Sequence, residues 1–255
     1  MLLAVDVGNT ETVLGVFSDR ELTRQWRIST VADRTADELA LMFGGLLEHQ
    51  DLSFDRNVTA VVIASVVPTA TQALREMVRR YFGFRPLVVE PGVKTGIPVL
   101  TDNPKEVGAD RVLNAVAAID LHGSPAIVVD FGTATTFDAV SERGEYVGGV
   151  IAPGVQISAA ALYKHTARLP RVELVAPSSV IGKNTVESVQ SGIMYGYASM
   201  VDGVVDRMAK DLGEPTVIAT GGLAPIMIEE CRSIDHHEPW LTLQGLRIVF
   251  ERNTE

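Results

Sequence analysis

Two stretches of the chain repeat one pattern. LLAVDVGNTETVLGVF, from Leu2, runs apolar into Asp6, passes Gly8, Asn9 and Thr10, and turns apolar again at Val13. AIVVDFGTATTFDAV, from Ala126, runs apolar into Asp130, passes Gly132 and Thr133, and then resumes as a strand. Each stretch ends at a charged turn, SDREL in the first and SERGEY in the second. Short apolar runs bounded by turn residues read as strands. An internal repeat of this length constrains a fold more than any single motif. It predicts two similar halves facing each other across a cleft.

The rest of the chain fits an α/β alternation. LTRQWRIST reads as a third strand. TADELALMFGGLLEHQ places Leu39, Met42, Phe43, Leu46 and Leu47 at helical spacing, with Thr35 and Glu38 as its capping box. AVVIASVV is a continuous apolar run, the pattern of a buried strand, and Pro68 opens the helix after it. PLVVE is a further strand. A helix is expected from about Asp110 to His122, and the boundary between halves is placed within it, giving 1–115 and 116–255. Beyond the second repeat come VGGVIAPG with a following helix, SSVIGKNT opening a long helix, and PTVIATGGLAPIMIEEC as strand, glycine turn and helix. The tail LTLQGLRIVFERN closes the fold.

Composition narrows the function classes. The chain has 255 residues, room for one large or two medium domains. The formal net charge is -10 and no block of basic residues is present, so no nucleic-acid partner is expected. An acidic surface repels anions at long range, so a phosphate site would work locally through backbone N–H groups, metal ions and a few Lys or Arg. The single cysteine, Cys231, lies beside Glu229 and Glu230, where a thiolate is disfavoured. One cysteine fits a reducing compartment. DHHEPW reads as a surface loop. The apolar run before Pro68 is too short to span a bilayer, and no leader-like segment follows Met1. A cytoplasmic protein with no membrane partner is the expectation.

The chemistry concentrates at the turns. A carboxylate ending a buried strand needs a partner. Asp6 can accept from the N–H groups of its own turn. Alternatively, Gly8 admits a nucleotide phosphate to the backbone, Asn9 and Thr10 donate to it, and Asp6 holds Mg²⁺ directly or through water. Asp130 ends the matching strand, followed by Thr133, Thr135 and Thr136, so two hydroxyl-rich turns would grip a polyphosphate. IATGGLA, Ile218–Ala224, either admits a flat adenine or ribose or is a tight strand-to-helix turn. The GxGxxG and P-loop patterns are absent. In GADR, Asp110 is either a helix N-cap with Arg111 a surface neighbour, or a base that takes a substrate hydroxyl proton while Arg111 holds the substrate's polar end. Thr185 of IGKNT could complete that pocket.

Seven motifs then occur in one order: DVGNT (6–10), GADR (108–111), DFGTATT (130–136), GGVIAPG (148–154), HTARLP (165–170), GKNT (182–185) and ATGG (219–222). Together they closely resemble the type III pantothenate kinases, from Leu2 to about Asn253. That resemblance implies the duplicated, ribonuclease H-like fold of the acetate and sugar kinase/Hsp70/actin superfamily. It implies ATP-dependent phosphorylation of pantothenate, the first step of coenzyme A synthesis, by a homodimer. By the same resemblance the ATP loop comprises Asp6, Val7, Gly8, Asn9, Thr10, Glu11, Thr12 and Val13, and Thr133 touches ATP. Asp110 is the catalytic base. Gly108, Ala109, Asp110, Arg111 and Thr185 contact pantothenate. Asp130 holds a monovalent cation, K⁺ or NH₄⁺, rather than Mg²⁺. Many members carry an aromatic residue before the NP of this loop, where Thr101 stands here.

Two other readings stay open. Relatives of this family act as transcriptional accessory factors, and a nucleotide-binding regulator would have no need of Asp110, Arg111 and Thr185 together. A kinase for a different small hydroxylated acid would keep them and differ around Thr101.

Overall fold

The computed structural model describes residues 1–54 and 56–254. The chain forms two compact units: residues 1–96, 103–117 and the C-terminal stretch from Thr242 in the first, and residues 97–102 and 118–241 in the second.

The first unit opens with β1 (Leu2–Val7), β2 (Glu11–Ser18) and β3 (Glu21–Ser29), an antiparallel meander. The next helix is α1 (Ala36–Glu48). The capping box forms as expected: Glu38 N donates to Thr35 Oγ1 at 3.3 Å, and Thr35 N donates to Glu38 Oε2 at 2.8 Å. β4 (Ala60–Ser65) then pairs parallel to β1. α2 (Pro68–Met77) passes into a π-helical turn, Val78–Phe82, which ends at Gly83 with φ 78°. β5 (Leu87–Val88) completes a sheet of order β3-β2-β1-β4-β5. Leu3, Val5 and Val7 of β1 are buried in one cluster with Phe43 and Leu47 of α1 and Leu74 and Met77 of α2. α3 (Ala109–His122) follows.

The second unit repeats this plan. β6 (Ala126–Phe131), β7 (Ala134–Val140) and β8 (Tyr146–Pro153) form the meander. α4 (Val155–Lys164), α5 (Thr185–Leu212), β9 (Thr216–Thr220), the short α6 (Ala224–Met227) and β10 (His236–His237) follow. The sheet order is β10-β9-β6-β7-β8, the same topology as the first. Phe131 and Phe137 pack with Val155 of α4 and with Ile193, Met194 and Val201 of α5. The last helix is α7 (Leu241–Thr254), most of which belongs to the first unit.

The sequence repeat is thus a repeat of structure. β1 and β6 share one burial pattern, four buried residues, a half-buried Asp, and a buried last residue. Asp6 lies opposite Val13, and Asp130 opposite Thr136. The copies differ at the turn: Gly8, Asn9 and Thr10 bridge the first pair of strands, whereas Gly132 and Thr133 suffice in the second. One expectation is corrected. DHHEPW is not a free surface loop, because His236 and His237 pair with Ile218 and Ala219 as an edge strand. His236 also stacks on His122, with ring centroids 4.3 Å apart. Among the described residues, no helix is long and apolar enough to cross a membrane.

One buried carboxylate ties the late loop to the long helix. Asp202 of α5 accepts from Arg232 N at 2.9 Å, Ser233 N at 3.0 Å and Arg232 Nε at 3.0 Å. Burial pushes its pKa up, but the bonds from Arg232 and Ser233 outweigh this and hold it below the usual carboxylate value. A depressed folded-state pKa means stability present above the unfolded value, about 3.9, and lost as pH falls through the folded one. Asp202→Ala is expected to cost roughly 2 kcal/mol at pH 7 in urea unfolding. The gap from wild type should shrink as pH falls below about 4.

Candidate active site

In the first unit, the β1–β2 turn is closed by Gly8 N donating to Glu11 O at 2.9 Å. A Cβ on Gly8 would meet that oxygen at 3.1 Å, so a small residue belongs there. Asn9 and Thr10 are exposed at the tip, while Asp6 is half-buried behind them. The neighbouring side chains have other occupations. Val7 and Thr12 point inward, Thr12 Oγ1 lying 2.8 Å from Thr30 Oγ1. Exposed Glu11 pairs with Arg27 at 2.9 Å.

In the same unit, α3 begins at Ala109, which places Asp110 inside the first helical turn. The N-cap alternative for Asp110 is therefore corrected: the cap position falls on Gly108, two residues earlier. Its Oδ1 accepts from Arg111 N at 2.9 Å, and a Cβ on Gly108 would lie 2.4 Å from the same oxygen. Gly108 is thus the residue that lets the carboxylate fold back over the helix start. A negative charge in a first turn is favoured by the helix dipole. Gly108, Ala109, Asp110 and Arg111 are all half-buried.

In the second unit, three turns converge on Asp130. Gly132 N donates to Ala134 O at 3.1 Å, and Leu223 N donates to Phe131 O at 3.1 Å. Gly221, at φ 93°, has the Asp130 carboxylate where its Cβ would be: Oδ1 lies 2.4 Å away, with Phe131 backbone atoms at 2.7 Å. A Cβ on Gly154 would strike Thr133 O at 2.1 Å. Gly221 of the ATGG turn therefore serves a close approach within the protein itself, as the tight-turn alternative expects, while Gly222 beside it is exposed. Thr133 is exposed and Thr136 half-buried. Thr135 is corrected: it lies in β7, opposite Phe131, fully buried with its hydroxyl unpartnered, so it is no part of an open turn.

Thr185 stands at the start of α5. Asn184 caps this helix, its Oδ1 accepting from Glu187 N at 3.0 Å, and Gly182 packs directly on the Glu187–Ser188 backbone. Thr185 itself is left exposed and lines a cavity of about 780 Å³. Leu162, Leu169 and Ile193 form its apolar side, and Ser188 and Tyr197 join Thr185 on the polar side. The Tyr197 hydroxyl lies 3.1 Å from Pro153 O and 3.4 Å from Gly154 O, and also bonds Ser158 Oγ. Through Gly154, Tyr197 thus links the cavity wall to the Thr133 turn. Sequence reasoning passed over Tyr197, because an aromatic residue in a long helix reads as core.

The donors at these turns are hard oxygens: carboxylates, hydroxyls and carbonyls. They suit Mg²⁺ or a monovalent cation shared with phosphate oxygens. Cys231 belongs to no such set; burial, with Asp202 and Glu230 nearby, pushes its thiol up to about 12.

Comparison with known proteins places this geometry. A solved Campylobacter jejuni structure, described as a conserved Baf family transcriptional activator, matches with TM-score 0.62 at 18% identity, covering 98% of each chain. An activator of 2-hydroxyisocaproyl-CoA dehydratase from Clostridium difficile, with bound ADPNP, matches with TM-score 0.55 at 12% identity, over 99% of this chain and 95% of that one. The chain has the actin-like α/β fold shared by kinases and ATPases. The family model for type III pantothenate kinase matches residues 2–207. A type III pantothenate kinase of Streptomyces coelicolor is 60% identical over 99% of this chain and 98% of its own length. The chain belongs to the type III pantothenate kinase family.

The Asp130–Gly221 approach yields a direct expectation. Gly221→Ala combines a clash with a backbone conformation that costs about 1–2 kcal/mol for an L-residue. The variant should unfold at lower urea concentration than wild type, and a Gly213→Ala control, with open space around its Cβ position, should lose less.

Proposed function

We propose that this chain phosphorylates pantothenate with ATP to give 4'-phosphopantothenate, the entry step of coenzyme A synthesis. The observation that carries the reading is the first turn of α3. There, a half-buried carboxylate, Asp110, is turned back over Gly108 beside the guanidinium-bearing Arg111, in a chain of this family.

In this reading the residues divide the work as phosphoryl transfer requires, with positioning and charge stabilisation in place of covalent chemistry. The backbone and side chains of Asp6–Val13 hold the ATP phosphates, with Asn9 and Thr10 as exposed donors at the tip and Thr133 as a further contact. Asp110 accepts the proton of the pantothenate hydroxyl as its oxygen attacks the γ-phosphorus in line with the leaving group. Arg111 holds the substrate's polar end, and Thr185 donates a hydroxyl from its cavity. Asp6 would hold Mg²⁺, directly or through water, and Asp130 K⁺ or NH₄⁺; when bound, such ions would neutralise charge developing on the phosphates. Each other step belongs to the chain's own groups. The halves 1–115 and 116–255 carry, respectively, the ATP loop with Asp110 and the cation residue with Thr185.

Self-association to a homodimer in the cytoplasm completes the proposal. Exposed Val150, Ile151, Val180 and Ile181 of the second unit favour a covered apolar surface.

Coupled ADP release with ATP, Mg²⁺ and pantothenate tests the reading. Turnover should require pantothenate and fall when Na⁺ replaces K⁺. Asp110→Asn should lower kcat by roughly 10²–10⁴-fold while ATP still binds, the range of a lost general base. Near-normal kcat in that variant removes Asp110 from the role of base.

A further inference from the structure

The C-terminal helix lies beyond residue 207, where the match to the family model ends, and no motif of the sequence falls in it. Yet α7 touches the chain on both sides of the GADR segment. Near its start, Thr242 Oγ1 donates to Asn114 Oδ1 at 2.7 Å, and Asn114 is 1% exposed. One turn on, Gly245 lies against α3 so closely that a Cβ would sit 2.2 Å from Leu113 O and 2.9 Å from Leu113 Cβ. Leu243 packs against Gly15 of β2, anchoring α7 to the first sheet. Near its end, Asn253 Nδ2 donates to Lys94 O at 2.9 Å, and Asn253 Oδ1 accepts from Lys94 N at 3.2 Å. Arg252 donates to Thr95 O, and its guanidinium fills the space where a Gly96 Cβ would stand.

We propose that α7 is a positioning clamp for the acceptor site, with Thr242 and Gly245 setting the placement of α3 and hence of Asp110 and Arg111. The inference rests on the kinase reading for its catalytic consequence. The physical argument is one of rigidity. Gly108–Arg111 lies at the junction of an irregular stretch and a helix start, where backbone freedom is greatest. Fastening residues 94–96 and 113–114 to one helix fixes both ends of that stretch. Transfer needs the base within hydrogen-bond reach of the attacking hydroxyl, so a small displacement of α3 is felt in kcat. The Thr242–Asn114 bond matters more than a surface bond would, because Asn114 is buried and a polar bond broken in the interior is not simply exchanged for one to bulk solvent. The Gly245 contact matters for a different reason: backbone on backbone leaves no flexible atom to yield.

Two variants and two readouts test this. Thr242→Val removes the donor at nearly constant volume, and Gly245→Ala separates the helices. Each is expected to lower kcat about tenfold and raise KM for pantothenate, with KM for ATP within twofold of wild type. Thr242→Ser should restore wild-type values. Native-state hydrogen exchange, independent of turnover, should show the amides of residues 112–117 exchanging at least tenfold faster in Thr242→Val, with the amides of β6 unchanged. A wild-type protein without pantothenate turnover overturns the kinase reading and the catalytic half of this inference together. A wild type that turns over, beside variants with unaltered kinetics, overturns the clamp alone. Should Gly245→Ala fail to fold, Thr242→Val decides: unchanged exchange in residues 112–117 overturns the clamp.

Discussion

A strand covered on both faces cannot carry a charge except where it leaves the core. β1 and β6 are such strands, and each ends in a half-buried aspartate one residue before its last position. Their parallel neighbours, β4 and β9, run in the same direction, so within each sheet the carboxyl-terminal ends of these strands lie at one edge. That is the edge at which open α/β sheets bind ligands. The polar chemistry of this chain follows from that constraint: the glycine turns, the exposed hydroxyls at positions 10 and 133, and the carboxylates behind them all lie where buried strands end.

The features written in local pattern were legible. The repeat declared itself because each copy keeps an apolar run, an aspartate and a glycine within one short window. The α1 cap was legible because Thr35 and Glu38 satisfy one another without reference to anything distant. Family membership was legible from seven motifs in order. Harder were residues whose role depends on register. Thr133, Thr135 and Thr136 look alike in DFGTATT, but the second turn is shorter than the first, and antiparallel pairing sends Thr135 to the core opposite Phe131. His236 and His237 form a strand because β9 offers them an edge, which no local signal announces.

Glycines tell the same story from the other side. Gly8 and Gly83 do what glycine does in any turn. Gly154, Gly221 and Gly245 instead mark places where one segment's backbone rests on another segment far away in sequence. A single chain gives no hint of which kind a glycine is, because the atom that would clash belongs to a residue tens or more than a hundred positions away. IGKNT divides similarly. Gly182 and Asn184 are taken up in starting α5, and Thr185 is left to face the cavity.

The division of the chain has a temporal meaning. The first unit is built from three stretches, and the last of them begins at Thr242, after the whole second unit has been encoded. Proteins emerge from the ribosome N-terminus first, and folding units form as they become complete. The second unit's last stretch therefore leaves the ribosome ahead of the helix on which the first unit still depends. A nascent chain held just short of Thr242 would carry every motif of the family and still lack the helix that fastens residues 94–96 and 113–114. The arrival of Thr242 and the residues after it is then also the moment at which the first unit acquires its last support.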